Sequence, residues 1–282
     1  MRAVESGDGG AVAVHELGGS GPPLVFAHAT GLHGLVWAPV ASHLGDAFRC
    51  LSVDHRGHGD SGTPPALDFD WRGLGNDVLA AVDGVALGDA GAPVFAVGHS
   101  SGGTAVLLAE QARPGTFTAL YCFEPILVAT DPPLGRDTGN WLAAGARRRR
   151  EVFGSREEAR SQYAGKSSFA DWAPEALDAY VEHGFEELAD GTVRLKCRRE
   201  HEALVYEMAT AHDGFARLGD VRCPVMLASG EESDAFTPAS RAALLDRLAN
   251  ARAEVLPGLG HFGPLEDPAA VAGSIRRFLT AL

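Results

Sequence analysis

The segment formed by residues 93–104, PVFAVGHSSGGT, constrains the fold more than any other part of this chain. Residues 94–97 form an apolar run that predicts a buried strand, and residues 104–112 have the spacing of a helix with an apolar face. Between them, Gly98, Ser100 and Gly102 complete the pattern G-x-S-x-G. A sharp turn from strand to helix strains the backbone of its central residue and projects that side chain above the sheet edge. The segment therefore predicts a projecting Ser100 at a helix N-terminus, where negative charge is stabilised.

Apolar strand-like runs alternate with helical patterns on both sides of this segment. Because such alternation produces a mostly parallel sheet that is covered by helices on both faces, the sequence predicts an α/β fold. The other predicted strands are residues 11–17, 24–27, 48–53, 118–123, 224–228 and 253–256, and the other predicted helices are residues 37–44, 71–87, 238–248 and 267–282.

The alternation is interrupted between residues 126 and 220, where helical patterns occur and no strand is predicted. We therefore expect two parts. Residues 1–125 and 221–282 form the α/β core, and residues 126–220 form an inserted helical cap, or lid. The cap is expected to lie over the C-terminal edge of the sheet, where open α/β sheets bind their ligands.

Charge and cysteine usage restrict the possible partners. A net charge of −13 and a pI of about 5.2 argue against nucleic acids and anionic membranes, which are polyanions themselves. The four cysteines show no C-x-x-C spacing, which favours free thiols in a reducing cytoplasm. The first ten residues contain no apolar signal core, and no apolar run reaches the ~20 residues that span a bilayer. We expect a cytoplasmic monomer or homodimer that acts on a small molecule without a cofactor or a metal.

A serine hydroxyl becomes a good nucleophile when a base removes its proton and a carboxylate orients that base. Among the eleven histidines, His261 is the predicted base, because it lies in a glycine-rich loop directly after the last predicted strand. His28, His55, His58 and His99 are interpreted as structural residues, and their spacing indicates no metal site.

Two acidic residues are candidates for the carboxylate that orients His261. Asp234 follows the predicted strand at residues 224–228, and Glu124 follows the strand after the helix that Ser100 begins. Either position can place a carboxylate behind His261, and either satisfies the order Ser…acid…His; of the two, we prefer Asp234. Glu231 and Glu232 are weaker candidates in the same loop as Asp234.

An oxyanion hole requires two backbone N–H groups that point at the oxygen on which negative charge develops. One N–H is expected from Ser101, directly after the predicted nucleophile. The second is expected from Thr30, in the loop after the strand at residues 24–27, with Ala29 as the alternative.

Several side chains are candidates for contact with the substrate. Trp37 follows the predicted oxyanion loop and can border an acyl pocket, and Trp141 and Trp172 lie in the cap, where they either line a pocket or pack the cap onto the core. Residues 147–150 are four consecutive arginines. They are interpreted as a solvated helix, although one arginine that points inward is enough to bind a substrate carboxylate.

Five motifs, in this order, resemble those of α/β-hydrolase-fold enzymes. They are His28-Ala29-Thr30-Gly31, which has Ala29 where this family usually has glycine, Arg56-Gly57-His58-Gly59-Asp60-Ser61, Gly98-His99-Ser100-Ser101-Gly102-Gly103, Gly230-Glu231-Glu232-Ser233-Asp234 and Gly258-Leu259-Gly260-His261-Phe262. The resemblance implies a nucleophilic serine, a histidine base and an oxyanion loop at these positions. In some relatives, including haloalkane dehalogenases and certain lactonases, the acid follows the strand where Glu124 lies. Ser100 stands where the dehalogenases and most epoxide hydrolases of this fold have aspartate.

Three functions are compatible with these residues. The first is a serine hydrolase that cleaves a carboxylic ester or a lactone through an acyl-enzyme. The second uses the same residues for hydrolysis of a C–C bond or for perhydrolysis, and the third is a small-molecule receptor that has no activity. We expect the first. A candidate for each catalytic position counts against the receptor, whereas the second function shares all of these motifs and only a panel of substrates separates it from the first.

Overall fold

A computed structural model describes residues 1–84 and 92–282. The predicted α/β architecture is confirmed, because strands and helices alternate along most of the chain. The last three residues of the predicted helix 71–87 lie outside the described residues. The strands are β1 Arg2–Glu5, β2 Ala11–Gly18, β3 Pro23–Ala27, β4 Arg49–Val53, β5 Phe95–His99, β6 Ala119–Phe123, β7 Val152–Phe153, β8 Phe185–Glu187, β9 Val193–Leu195, β10 Val225–Gly230 and β11 Ala251–Leu256. The α-helices are α1 Ala38–Ser42, α2 Trp71–Gly84, α3 Ser101–Ala112, α4 Trp141–Arg147, α5 Arg156–Ala164, α6 Pro174–Gly184, α7 Arg199–Glu207, α8 Pro238–Leu245, α9 Gly263–Glu266 and α10 Pro268–Leu279.

Eight strands form the main sheet in the order β1-β2-β4-β3-β5-β6-β10-β11. The pairs β1–β2 and β2–β4 are antiparallel, and all pairs from β4 to β11 are parallel. The parallel strands β3, β5 and β6 are buried throughout, as continuously apolar runs predict. Strand β1 was not predicted, because Arg2–Glu5 contains two charged residues in four and lies at the edge of the sheet.

The core has two layers, one on each face of this sheet. Because successive side chains of a strand point to opposite faces, Leu24 and Phe26 of β3 join one apolar cluster, and Val25 and Ala27 join the other. The first cluster includes residues of α1, α6 and α10, and the second includes residues of α2 and α3. All four cysteines are free and buried.

The inserted segment, residues 126–220, adds no strand to the main sheet. The prediction that it contains no strand is wrong, since β7, β9 and β8 form a small antiparallel sheet in that order. These strands are two or three residues long, which is too short for an alternating pattern to be recognised. The segment also contains α4–α7, and α6 packs against the turn at Gly34–Trp37 of the core.

Within residues 1–84 and 92–282, no helix combines the length and the hydropathy of a membrane-spanning helix.

Candidate active site

Ser100 occupies the turn between β5 and α3 in the strained conformation that the motif predicts. Its φ is 55° and its ψ is −118°, a backbone conformation that residues with a Cβ rarely adopt. The two flanking glycines are required by close backbone contacts. A Cβ on Gly98 would lie 2.3 Å from the Gly102 carbonyl oxygen, and a Cβ on Gly102 would lie 2.3 Å from the carbonyl oxygen of Ala27. The turn therefore holds the hydroxyl of Ser100 at the C-terminal end of β5, next to the N-terminus of α3.

His261 reaches this serine from the loop that follows β11. Its Nε2 lies 3.2 Å from the Ser100 Oγ, although 161 residues separate the two in the chain. The backbone carbonyl of His261 accepts a hydrogen bond of 2.8 Å from Nε2 of His99. Burial lowers the pKa of His99 well below its ordinary value, so that this ring stays neutral. This hydrogen bond from His99 therefore helps to fix the loop that contains His261.

Glu124 lies directly behind His261. It follows the C-terminal residue of β6, is fully buried, and its Oε2 lies 2.7 Å from Nδ1 of His261. The same carboxylate accepts a hydrogen bond of 2.6 Å from the Ser233 hydroxyl and one of 2.9 Å from the Gly230 N–H. Because a carboxylate only accepts hydrogen bonds, Nδ1 of His261 carries the hydrogen, and Nε2 is free to take a proton from Ser100.

The preference for Asp234 as the partner of His261 is corrected by this geometry. Asp234 is exposed on the loop after β10, as are Glu231 and Glu232, whereas Glu124 is buried against the imidazole. The loop after β10 contributes a hydroxyl instead, through Ser233, which lies next to Asp234 in the sequence. The carboxylate that contacts His261 therefore directly follows β6, the strand next to β5, and the neighbouring loop donates a hydrogen bond to it.

The backbone N–H groups that the sequence suggested for an oxyanion hole are free of hydrogen bonds within the protein. The N–H groups of Ser101 and Thr30 have no acceptor among the described residues, and neither does that of Ala29, the alternative to Thr30. The N–H of Gly31, the next residue, is already donated to Nε2 of His58 at 3.1 Å. The hydroxyl of Thr30 donates to the Ser101 hydroxyl at 2.9 Å, which joins the two loops.

Buried histidines hold the loop that contains Thr30. Nε2 of His28 accepts the backbone N–H of His55 at 3.0 Å, and the ring of His28 contacts those of His55 and His58. Burial lowers the pKa of His55 to about 3 and that of His58 to about 4. These rings are therefore neutral near pH 7, and they serve as structural residues, as the sequence predicted.

A cavity of about 240 Å³ lies between the core and the inserted segment, beside the predicted oxyanion loop. Its wall contains Thr30 and also Phe262, which directly follows His261 in the chain. The rest of the wall is formed mainly by side chains of the inserted segment, namely Arg149, Tyr163, Lys166, Ser168, Phe169, Trp172, Tyr180, Glu202 and Tyr206. A cavity of this size can hold a small molecule.

Only one of the three tryptophans that the sequence suggested lines this cavity. Trp172 forms part of its wall and contacts the ring of Phe262. Trp37 is instead fully buried in the core against Phe26, and Trp141 is 76% exposed on α4. Neither ring borders the cavity, because the first faces the sheet and the second faces the solvent.

One group of side chains outside this site has the composition of a metal centre. His15, Asp54 and Asp60 bring their ligand atoms within 4.8 Å of one another. Their oxygens already have partners, however. Asp54 accepts from His15 at 2.8 Å, and Asp60 accepts from Lys196 at 2.6 Å. The group is therefore a satisfied polar network.

Comparison with known proteins identifies the family of this chain. Residues 24–274 match the profile described as "Alpha/beta hydrolase family". The chain belongs to this family. The match runs from β3 to α10 and so includes Ser100, Glu124 and His261.

This hydrolase is distantly similar in sequence to the following relatives. It is 27% identical over 218 residues to "Abhydrolase domain-containing protein ACTT2-1" of Alternaria alternata, covering 65% of this chain and 81% of that one. It is 23% identical over 263 residues to 2-(acetamidomethylene)succinate hydrolase of Mesorhizobium japonicum, covering 93% and 90% of the two chains. The crystal structure of E-2-(acetamidomethylene)succinate hydrolase superimposes with a TM-score of 0.83 at 23% identity, covering 99% and 98%. At this identity, the structural likeness establishes the fold alone.

The sequence did not indicate two groups that position Glu124 and the loop of His261. The Ser233 hydroxyl supports Glu124, and the carboxylate of Glu266 accepts the Gly260 N–H at 2.6 Å, directly before His261. Burial raises the pKa of Glu266. The signal for Ser233 was its place beside Asp234 in the loop after β10, whereas nothing in the sequence distinguished Glu266 from a residue at the start of the final helix.

Proposed function

We propose that this hydrolase cleaves a carboxylic ester or a lactone of a small, partly apolar molecule through an acyl-enzyme on Ser100. The observation that carries the proposal is the continuous line of contacts from Ser100 through His261 to Glu124, with 3.2 Å between Oγ and Nε2 and 2.7 Å between Nδ1 and Oε2. Such a line is the arrangement that converts a serine hydroxyl into a nucleophile.

In the acylation step, the Ser100 Oγ forms a bond to the carbonyl carbon, and its proton passes to Nε2 of His261. The carbonyl oxygen becomes an oxyanion that the free N–H groups of Ser101 and Thr30 can bind. When the tetrahedral intermediate collapses, the bond to the leaving oxygen breaks, and His261 returns the proton to that oxygen. The carboxylate of Glu124 stabilises the imidazolium that exists between these events.

In the deacylation step, water replaces the serine as the nucleophile. His261 takes a proton from the water while the water oxygen bonds to the acyl carbon, and the proton then passes to the Ser100 Oγ as the acyl–serine bond breaks. The products are a carboxylic acid and the original enzyme.

The inserted segment is proposed to act as the cap that selects the substrate, since it supplies most of the cavity wall next to Thr30. The names of relatives with this fold include an esterase and an enol-lactonase, which supports acyl transfer from oxygen as the reaction class.

The test compares wild type, Ser100→Ala and Ser161→Ala, a matched control at an exposed position of α5. Wild type and Ser161→Ala are expected to react with a fluorophosphonate and to hydrolyse p-nitrophenyl esters. Ser100→Ala is expected to do neither, with a loss of about 10⁴-fold or more in kcat. Full esterase activity in Ser100→Ala would show that the nucleophile is assigned wrongly.

A further inference from the structure

The polar side chains of the cavity wall can all donate a hydrogen bond, except the carboxylate of Glu202. Arg149 is the one residue of the run 147–150 that lines the cavity. Its Nη1 is paired with Glu202, and this pair lies against the oxyanion loop, because a Cβ on Gly31 would come within 2.8 Å of Glu202 Oε1. The charge of Arg149 is therefore compensated inside the protein, next to the reaction site.

Two tyrosine hydroxyls bind the other end of the Arg149 guanidinium. Its Nη2 donates to the hydroxyl oxygen of Tyr163 at 3.0 Å and to that of Tyr180 at 2.6 Å. Since each oxygen accepts from Arg149, each phenol keeps its own hydrogen for donation, and neither hydrogen has an acceptor among the described residues. Burial raises the pKa of Tyr180 well above its ordinary value, so that this phenol remains a donor.

Lys166 adds a positive charge that is not neutralised. It lines the same cavity with its Nζ 4.4 Å from the ring centre of Tyr163, and no carboxylate oxygen of the described residues lies within 4 Å of that Nζ. Arg149 and Lys166 contribute two positive charges and Glu202 one negative charge, so the wall has a net charge of +1 in a protein whose net charge is −13.

We propose that this cavity binds a carboxylate, so that the enzyme acts on small carbonyl compounds that carry a second, anionic carboxyl group. This inference rests on the proposed function for the reaction itself. A carboxylate carries one negative charge, which matches the net charge of the wall, and its two oxygens can accept from the Lys166 ammonium and from the phenol hydroxyls. A phosphate monoester with two negative charges would leave one of them uncompensated in a partly buried site.

The first experiment compares two esters of the same acyl length, p-nitrophenyl hemiadipate and p-nitrophenyl hexanoate. Wild type is expected to prefer the anionic ester in kcat/KM. Lys166→Met is expected to lower the ratio of the two kcat/KM values about tenfold or more, and Lys166→Arg to restore most of it. Lys196→Met is the matched control, since Lys196 is the other lysine of the chain and is paired with Asp60. An equal ratio in Lys166→Met and Lys196→Met would overturn the inference.

A binding experiment separates this inference from the proposed function. Calorimetry with wild type compares adipic acid monoamide, a monoanion, with neutral adipamide and with inorganic phosphate. The monoamide is expected to bind at least tenfold more tightly than adipamide, and Lys166→Met to remove that difference. If this pattern holds while no ester is hydrolysed, the anion site stands and the proposed function fails. Equal binding of the monoamide and the diamide, or preferred binding of phosphate, would refute the carboxylate site even in an active esterase.

Discussion

The replacement Glu124→Gln tests the central contact of the site. The Glu124 carboxylate accepts three hydrogen bonds, from His261 Nδ1, the Ser233 hydroxyl and the Gly230 N–H. An amide of the same size offers one accepting oxygen and one donating NH₂ group. If the NH₂ faces Gly230, two donors oppose each other in a buried position. If it faces His261, Nδ1 must accept, and the hydrogen of the imidazole moves to Nε2.

The second orientation satisfies the hydrogen bonds, because the Ser233 hydroxyl can turn and accept as well. It also gives His261 the wrong tautomer, which has no free lone pair toward Ser100. We therefore expect kcat/KM to fall about 10³- to 10⁴-fold, by analogy with aspartate-to-asparagine changes in other serine triads. At 1.36 kcal/mol for each factor of ten, this loss corresponds to about 4–5.5 kcal/mol of transition-state stabilisation.

The assay measures kcat/KM with p-nitrophenyl esters for wild type, Glu124→Gln and Asp234→Asn, and circular dichroism confirms that each variant is folded. Asp234→Asn is the matched control, because its carboxylate is exposed and that of Glu124 is the one that contacts His261. It is expected to stay within about twofold of wild type. A folded Glu124→Gln that keeps more than a tenth of the activity, together with a large loss in Asp234→Asn, would refute this reasoning.

Two further predictions concern stability. Gly102→Ala is expected to destabilise the protein by roughly 1–3 kcal/mol, because its Cβ would lie 2.3 Å from the Ala27 carbonyl oxygen. In Gly145→Ala, the new Cβ on α4 would meet nothing within 4 Å, and the variant is expected to be more stable than wild type by about 0.5–1 kcal/mol. Chemical denaturation measures both changes in unfolding free energy. The pKa of His55 is depressed to about 3 in the folded state, so the unfolded chain takes up this proton first and stability is lost as the pH falls from about 6.5 toward 3. His55→Phe is expected to remove about 2 kcal/mol of the difference in unfolding free energy between pH 7 and pH 5, and an unchanged difference would contradict the assignment of that proton.

The parts of the site that the sequence located are those encoded by short continuous segments. Ser100 depends on a strand, a turn and two glycines within a few residues of each other, and the Gly98 and Gly102 contacts leave no room for a Cβ. Thr30 and His261 follow strands that place their loops at the same edge of the sheet. Their positions could be predicted because each depends on local structure and on strand order.

The acid could not be chosen from the sequence, because β6 and β10 are neighbours in the sheet and both end at the same edge. Each strand delivers a carboxylate there. The choice depends on the direction of one side chain: Glu124 has a positive φ of 47° and is buried against His261, whereas Asp234 lies four residues beyond the end of β10 and is exposed. No sequence pattern indicates that a glutamate has a positive φ, so this conformation could not be predicted.

The sequence also did not show that Arg149 is the arginine of the run 147–150 that points into the cavity. Residues 147–150 are chemically identical, and the end of α4 turns Arg149 toward Glu202 while Arg147 contacts Glu200 on the surface. Only the path of the chain after α4 separates these roles.

The residues around Ser100 and most residues of the cavity wall come from different parts of the chain, and this separation has a consequence for substitutions. Ser100, Glu124 and His261 all belong to the sheet and its loops, whereas Arg149, Tyr163, Lys166, Tyr180 and Glu202 all belong to the inserted segment. Because the two sets share no residue, we expect substitutions within residues 126–220 to change the cavity wall while the contacts among Ser100, Glu124 and His261 stay as they are, except where a side chain lies against the loop of Thr30, as the Arg149–Glu202 pair does. If the proposed function holds, an exchange of that segment is expected to change the substrate preference more than the reaction itself.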